Sequence, residues 1–156
     1  PLLYMGEELG VLNDYSYLSN PDQLEDSRWV HRVTMDWDTI PGGDKHGAIQ
    51  AAFTAMFTEL VEARKQHTVL AGTNIQVLDA HNDHLLVYRR ARQGQSLVVL
   101  ANFSEQHIRL TPDFFGVSGV RGPLKDLLTD RVLTSQSPIE AYGLYWCQEG
   151  AELESL

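Results

Sequence analysis

The feature that most constrains this chain is a break in its periodicity. An apolar burst, Pro1-Leu2-Leu3-Tyr4-Met5, stops at Gly6, and no helical pattern starts again until near Gly47. That leaves a connection of roughly forty residues where compact domains usually use about four to six. The burst closed by glycine suits a fully buried strand. The connection is rich in Asp, Asn, Ser and Pro, as loops are. Counting from the burst onward it also carries Tyr4, Tyr15, Tyr17, Trp29 and Trp37, side chains that disordered segments lack. An ordered binding loop is the expectation.

A turn at Pro41-Gly42-Gly43-Asp44 leads into a helix from near Gly47 to His67. Ile49, Ala52, Phe53, Met56, Phe57, Leu60, Val61 and Arg64 repeat at helical spacing and predict one stripe against a core. Asp44 suits the positive end of that helix, while Arg64, Lys65 and His67 suit the negative end. Buried strand, long loop and amphipathic helix make one βα unit of a (β/α)8 barrel, whose active site lies on the face carrying such loops. After Gly72 the period falls to two. Strands are expected at Asn74–Asp79, His84–Arg90, Ser96–Phe103, Gln106–Leu110, Leu124–Leu128, Arg131–Leu133 and Ile139–Cys147, with a hairpin at Gln93-Gly94-Gln95. Short strands at this spacing predict an antiparallel sandwich. Residues 111–123, with Pro112, Gly116, Gly119 and Gly122-Pro123, read as loop. The fold class is therefore α+β, a last βα unit over 1–70 followed by an all-β sandwich over 71–150 and an acidic tail over 151–156.

With 156 residues, 43% of them hydrophobic, the chain can build a core. Its net charge of −9 argues against nucleic acid or an anionic membrane surface as partner. No apolar run approaches the roughly 20 residues of a membrane span, and no signal peptide is legible. Cys147 is the single cysteine, so no intrachain disulfide can form; set among Leu144, Tyr145 and Trp146 it reads as a core residue. A cytoplasmic home is the expectation. The chain opens in mid-strand without Met, and one βα unit cannot close a barrel. It reads as the C-terminal piece of something longer.

Two motifs carry a family resemblance. Pro1-Leu2-Leu3-Tyr4-Met5-Gly6-Glu7-Glu8-Leu9-Gly10 resembles the last barrel strand of the alpha-amylase superfamily, glycoside hydrolase family 13. Leu12-Asn13-Asp14-Tyr15 with Glu25-Asp26-Ser27-Arg28-Trp29-Val30-His31-Arg32 resembles the amylosucrases and sucrose hydrolases within it. Downstream, Leu85–Arg90 with Ser96–Ser104 resembles the central hairpin of that superfamily's C-terminal domain. The resemblance implies a retaining enzyme that moves glucosyl units from sucrose to α-1,4-glucan or water, without cofactor or metal. Its partners would be sucrose or α-glucan and the rest of the catalytic barrel. Val33-Thr34-Met35-Asp36-Trp37 departs from the family's Pro-containing continuation and leaves acceptor preference open. Other readings are a trehalose synthase or alpha-glucosidase of the same family, or a non-catalytic carbohydrate-binding or interface module.

No catalytic residue is assigned to this chain. Retaining hydrolysis needs two carboxyl groups about 5 Å apart across the scissile bond, and adjacent Glu7 and Glu8 in extended chain point opposite ways. The resemblance puts the reacting acids upstream of Pro1. It also implies that Arg28 pairs with an upstream Asp to close the floor of a glucose-sized pocket, as a guanidinium can. The alternative is an Arg that steadies its own loop, or, without that Asp, one that pairs elsewhere or faces water. Asp14, Tyr15 and Trp29 are further substrate-binding candidates, the aromatic pair serving equally well as packing for the loop. Glu8 reads as structural. His81-Asn82-Asp83-His84 reads as a solvated turn rather than a metal site, Arg89-Arg90-Arg92 as an exposed charge run, and the glycosylation pattern Asn102-Phe103-Ser104 as part of a strand.

Overall fold

The computed structural model describes Leu3, Tyr4 and residues 6–35 and 45–150. It divides into two units, Pro1–Leu60 and Val61–Leu156. Most of the expected first strand lies outside the described residues, as do the Pro41–Asp44 turn, Asp36, Trp37 and the tail. Leu3 and Tyr4 are described, and they form no strand. The chain turns there: Tyr4 N donates to Glu7 Oε2 at 3.1 Å and Glu7 N to Tyr4 O at 3.0 Å. With its amide spent on a side chain, Tyr4 has none to give a sheet ladder.

The first unit is built from three 3-10 turns, Glu7–Leu9, Ser16–Ser19 and Ser27–His31, and from most of α1 (Lys45–Gln66). The helix is where its periodicity predicts. Its stripe is only partly covered. Phe53 and Phe57 stack with centroids 6.2 Å apart, and Thr54 Oγ1 donates to Glu8 O at 3.0 Å. Ile49 and Met56 stay 69% and 50% exposed and Ala52 is exposed too, so the expected core-facing stripe is open at three of its positions.

The second unit follows a 3-10 turn at Thr68–Ala71. Its strands are β1 (Asn74–Leu78), β2 (Leu85–Arg92), β3 (Gln95–Asn102), β4 (Ile108–Arg109), β5 (Leu124–Asp126), β6 (Val132–Leu133), β7 (Pro138–Ile139) and β8 (Leu144–Glu149). Six of them form one antiparallel sheet in the order β1-β2-β3-β8-β5-β6, and β4 pairs with β7. The second layer of the expected sandwich is thus a two-stranded ribbon joined by α2 (Pro112–Ser118). Gln93 and Gly94 turn the β2–β3 hairpin with φ of 51° and 78°, the two left-handed residues that match strand twist.

Strand β3 explains the rest of the packing. Leu97, Val98, Val99 and Leu100 are all at most 1% exposed. Alternate side chains enter different cores. Val98 and Leu100 join Val87, Tyr145, Cys147 and Phe114 of α2. Leu97 and Val99 meet Val69 and Leu70 of the 3-10 turn, flanked by Tyr88 and Trp146. A strand covered on both faces reads as a continuous apolar run.

Three expectations need correction. Residues 112–118 are helical, opened by Pro112 and closed by Gly119 at φ 64°, the Pro-first, Gly-after signature. The single strand Ile139–Cys147 is two, on different sheets, because Tyr142 takes φ 53° and Gly143 N turns back to Glu140 O at 2.9 Å. Arg89 and Arg90 are not exposed. Arg89 bonds Glu149 at 2.9 Å and Gly119 O at 2.8 Å, both charged side chains being under a fifth exposed, and Arg90 donates to Gly72 O.

Asn102, 3% exposed, ends β3. Its Nδ2 donates to Gln106 O at 2.7 Å and Glu140 O at 2.8 Å, while Oδ1 accepts from Ser104 N and Oγ. The nitrogen that glycosylation would use is committed to the fold. Asn102→Ala should lower the unfolding free energy by about 2–4 kcal/mol in urea titration, because it strands several buried polar groups at once. Burial pushes the Cys147 thiol up, and the Asp126 carboxylate adds to it. Cys147 should therefore resist thiol alkylation in the native chain and react once denaturant opens the sheet.

Candidate functional site

The loop before α1 is shaped by short polar side chains that bond nearby amides. Gly6 and Gly10 take φ of 98° and 63° around the first 3-10 turn, a geometry that costs other residues about 1–2 kcal/mol. Glu7 and Glu8 each accept a backbone N–H, from Tyr4 at 3.1 Å and Gly6 at 3.0 Å. Both are thus engaged in local turns. Asp14 Oδ1 accepts from Ser16 N at 2.8 Å and Asn20 Oδ1 from Asp22 N at 3.0 Å. These are Asx turns, which favour such residues for this reason. The Ser16 amide, aided by the Ser16 side chain, holds the Asp14 carboxyl below its ordinary value.

Asp26 is the hub of the third turn. It accepts Arg28 N at 3.0 Å, and its two oxygens take Arg28 Nε at 2.7 Å and Nη2 at 2.9 Å. Arg32 Nη1 approaches Asp26 Oδ2 at 3.6 Å, and Arg32 Cζ lies 5.2 Å from the centre of the Trp29 ring, a cation–π distance. The Arg28 side-chain bonds, with its amide, hold the Asp26 carboxyl down to about 2. The same pairing raises Arg28. Arg28 therefore has an in-loop partner, and its side chain remains 75% exposed.

Two parts of the loop are then stitched together. Asp14 N donates to Val30 O at 3.0 Å, and His31 Nδ1 lies 3.2 Å from Asn13 Oδ1. A cleft of about 510 Å³ opens beside the stitch, lined by Tyr4, Glu7, Asn13, Arg28, His31 and Arg32 among others. Of the four residues expected to bind substrate, Arg28 lines it. Asp14 holds a turn, Tyr15 is 62% exposed and Trp29 lies under Arg32; all three are outside the lining. The spacing analysis missed Asn13, His31, Arg32 and Asp26. For Asp26 a signal existed, since Asp two residues before Arg at a turn start is an Asx-turn pattern. For Asn13 and His31, 18 positions apart, none did.

Such a cleft offers cationic and amide donors beside carboxylate and imidazole acceptors, the mixture a hydroxylated ligand needs. Among the described residues no group of three or more His, Cys, Asp or Glu side chains is placed to hold a metal. No helix among them is long and apolar enough to cross a membrane.

No protein-family model matches the chain. Solved structures do. A maltogenic amylase from S. marinus superposes with TM-score 0.59 and 17% identity over 95% of this chain and 17% of its own. AmyP, solved in complex with maltose, superposes with TM-score 0.54 and 13% identity over 79% of this chain and 26% of its own. The chain thus spans about a sixth to a quarter of these proteins' length. At such identities the likeness is one of fold.

Asp26→Asn should free Arg28 and loosen the third turn. In the native chain the Asp26 carboxyl should titrate near 2 by NMR. Its pKa is depressed, so its contribution to loop order is complete above the ordinary value of 3.8 and is lost as pH falls towards 2. A midpoint near 3.8 would refute the pairing.

Proposed function

We propose that this chain is the C-terminal portion of an α-glucan-active enzyme, and that the intact protein transfers glucosyl units from sucrose to α-1,4-glucan or water. The observation that carries the coarser reading is the shared fold with a maltogenic amylase and with AmyP, the latter bound to maltose. The sucrose reading rests on the Asp-Ser-Arg-Trp segment, whose Arg28 stands open at the cleft.

The chain's own chemistry is that of a pocket wall. A guanidinium has five N–H donors in a planar fork. Two of Arg28's meet Asp26, and with the side chain largely exposed the rest can meet a second carboxylate or a sugar hydroxyl. In the intact enzyme an Asp from upstream chain would supply that carboxylate and close the pocket on one glucosyl unit. The nucleophile and general acid come from the same upstream chain, about 5 Å apart for retention. Asp14, Tyr15 and Trp29 belong to the same proposal as further substrate contacts. A cytoplasmic location is part of it too, and a single cysteine is compatible with it.

The test is turnover by the intact protein on sucrose and on maltooligosaccharides, alongside the 156-residue chain alone. Sucrose should be cleaved by the intact protein, and the short chain should be inactive on both. Arg28→Ala should cut kcat/KM for sucrose by about a hundredfold, the effect of truncating one member of a desolvated charge pair. Activity on maltooligosaccharides without sucrose cleavage would retain the coarser reading and reject the finer one.

A further inference from the structure

We infer that His31 is a binding residue for this cleft, held by Asn13 in one tautomer so that Nε2 accepts a hydrogen bond from a sugar hydroxyl. The inference rests on the carbohydrate reading above and adds the residue that reads the ligand's donor side.

The geometry leads there in three steps. First, the backbone bond from Asp14 N to Val30 O brings residues 13 and 31 side by side, so their contact is built by the main chain. Second, His31 Nδ1 lies 3.2 Å from Asn13 Oδ1; an amide oxygen only accepts, so this contact is a hydrogen bond in the tautomer that carries its proton on Nδ1. In the neutral ring Nε2 is then a bare acceptor, since the partner of one nitrogen sets the state of the other. Third, Asn13, His31, Arg28 and Arg32 share one cleft. Both arginines are donors without acceptor capacity.

A cleft with guanidinium donors alone would suit a phosphate or carboxylate. Adding an imidazole acceptor and the Glu7 carboxylate changes the ligand class. A vicinal diol presents a lone pair from one hydroxyl and a proton from the next, and so meets a donor and an acceptor at once. A neutral glucosyl unit fits that pairing, whereas an anion sets the Glu7 carboxylate against like charge and leaves the imidazole nitrogen without a donor.

The test has two independent parts. Nitrogen-15 spectra of the chain should show His31 as the Nδ1–H tautomer, and Asn13→Ala should shift it towards Nε2–H. A wild-type ring already in the Nε2–H form overturns the inference. In the intact protein, His31→Phe should raise KM for the glucosyl donor about threefold to tenfold, the effect of one neutral hydrogen bond, while kcat falls less than twofold. His31→Gln, which keeps a carbonyl acceptor, should recover most of that loss. Equal KM in His31→Phe and wild type overturns the inference even if sucrose is cleaved. No turnover of sucrose or maltooligosaccharide overturns the carbohydrate reading and the sugar as occupant, while the tautomer result still shows whether Asn13 sets the ring.

Discussion

Burial of β3 on both faces is the constraint on which the β unit rests. Four consecutive side chains, Leu97 to Leu100, leave water completely or nearly so, and each is worth about 1.5–3 kcal/mol of transfer free energy. The surface ion pairs are small beside this. Lys125–Asp130 and His107–Glu140 join exposed side chains, a class worth about 0–1 kcal/mol. A strand with two apolar faces cannot stand at an edge. It must have a neighbour on each side and a layer above and below. β2 and β8 supply the neighbours, with every residue of β2 in register against β3. The Thr68–Ala71 turn supplies one layer, and the β4–β7 ribbon with α2 supplies the other.

The loop unit is held by different means. Among its described residues only Gly6 and Gly47 are fully buried, and its order comes from carboxylate and amide side chains bonding amides two or three residues away. Such bonds fix local shape without requiring a core. They are worth about 0.5–1.5 kcal/mol each. Several of the acceptors are charged, so the shape of the cleft depends on ionisation in a way that the sheet does not.

This contrast sets what could be read from the sequence. Strand β3 was legible because burial writes a pattern, a continuous apolar run entered from β2 through Gln93-Gly94, whereas β1 was marked by the alternation of Ile75 and Val77 although both stay largely exposed. The misread stretches of the β unit are those where local chemistry overrode the pattern. Tyr142 and Gly143 break a stretch that reads as one strand, and Thr111-Pro112 starts a helix too short to show a period. Arg89 looked like surface because its partner Glu149 lies 60 positions away. The site was less legible. Arg28 could be singled out, but its bidentate partner is its own neighbour, and contacts such as Asn13 to His31 depend on a crossing of the loop that no spacing announces.

The polar wealth of the loop therefore divides into two kinds. Asp14, Asn20 and Asp26 look functional by composition, yet each spends a side-chain oxygen on holding a turn. What they hold in place is functional by geometry. Asp26 fixes Arg28 through the amide and the fork together, so the guanidinium reaches the cleft with its rotamers already restricted. Side-chain ordering of this sort otherwise costs about 0.5–1.5 kcal/mol per residue at the moment of binding. A loop that settles that cost during folding can lack a core of its own and still present a defined wall to a ligand. This explains how residues 6–35 can be both polar and ordered.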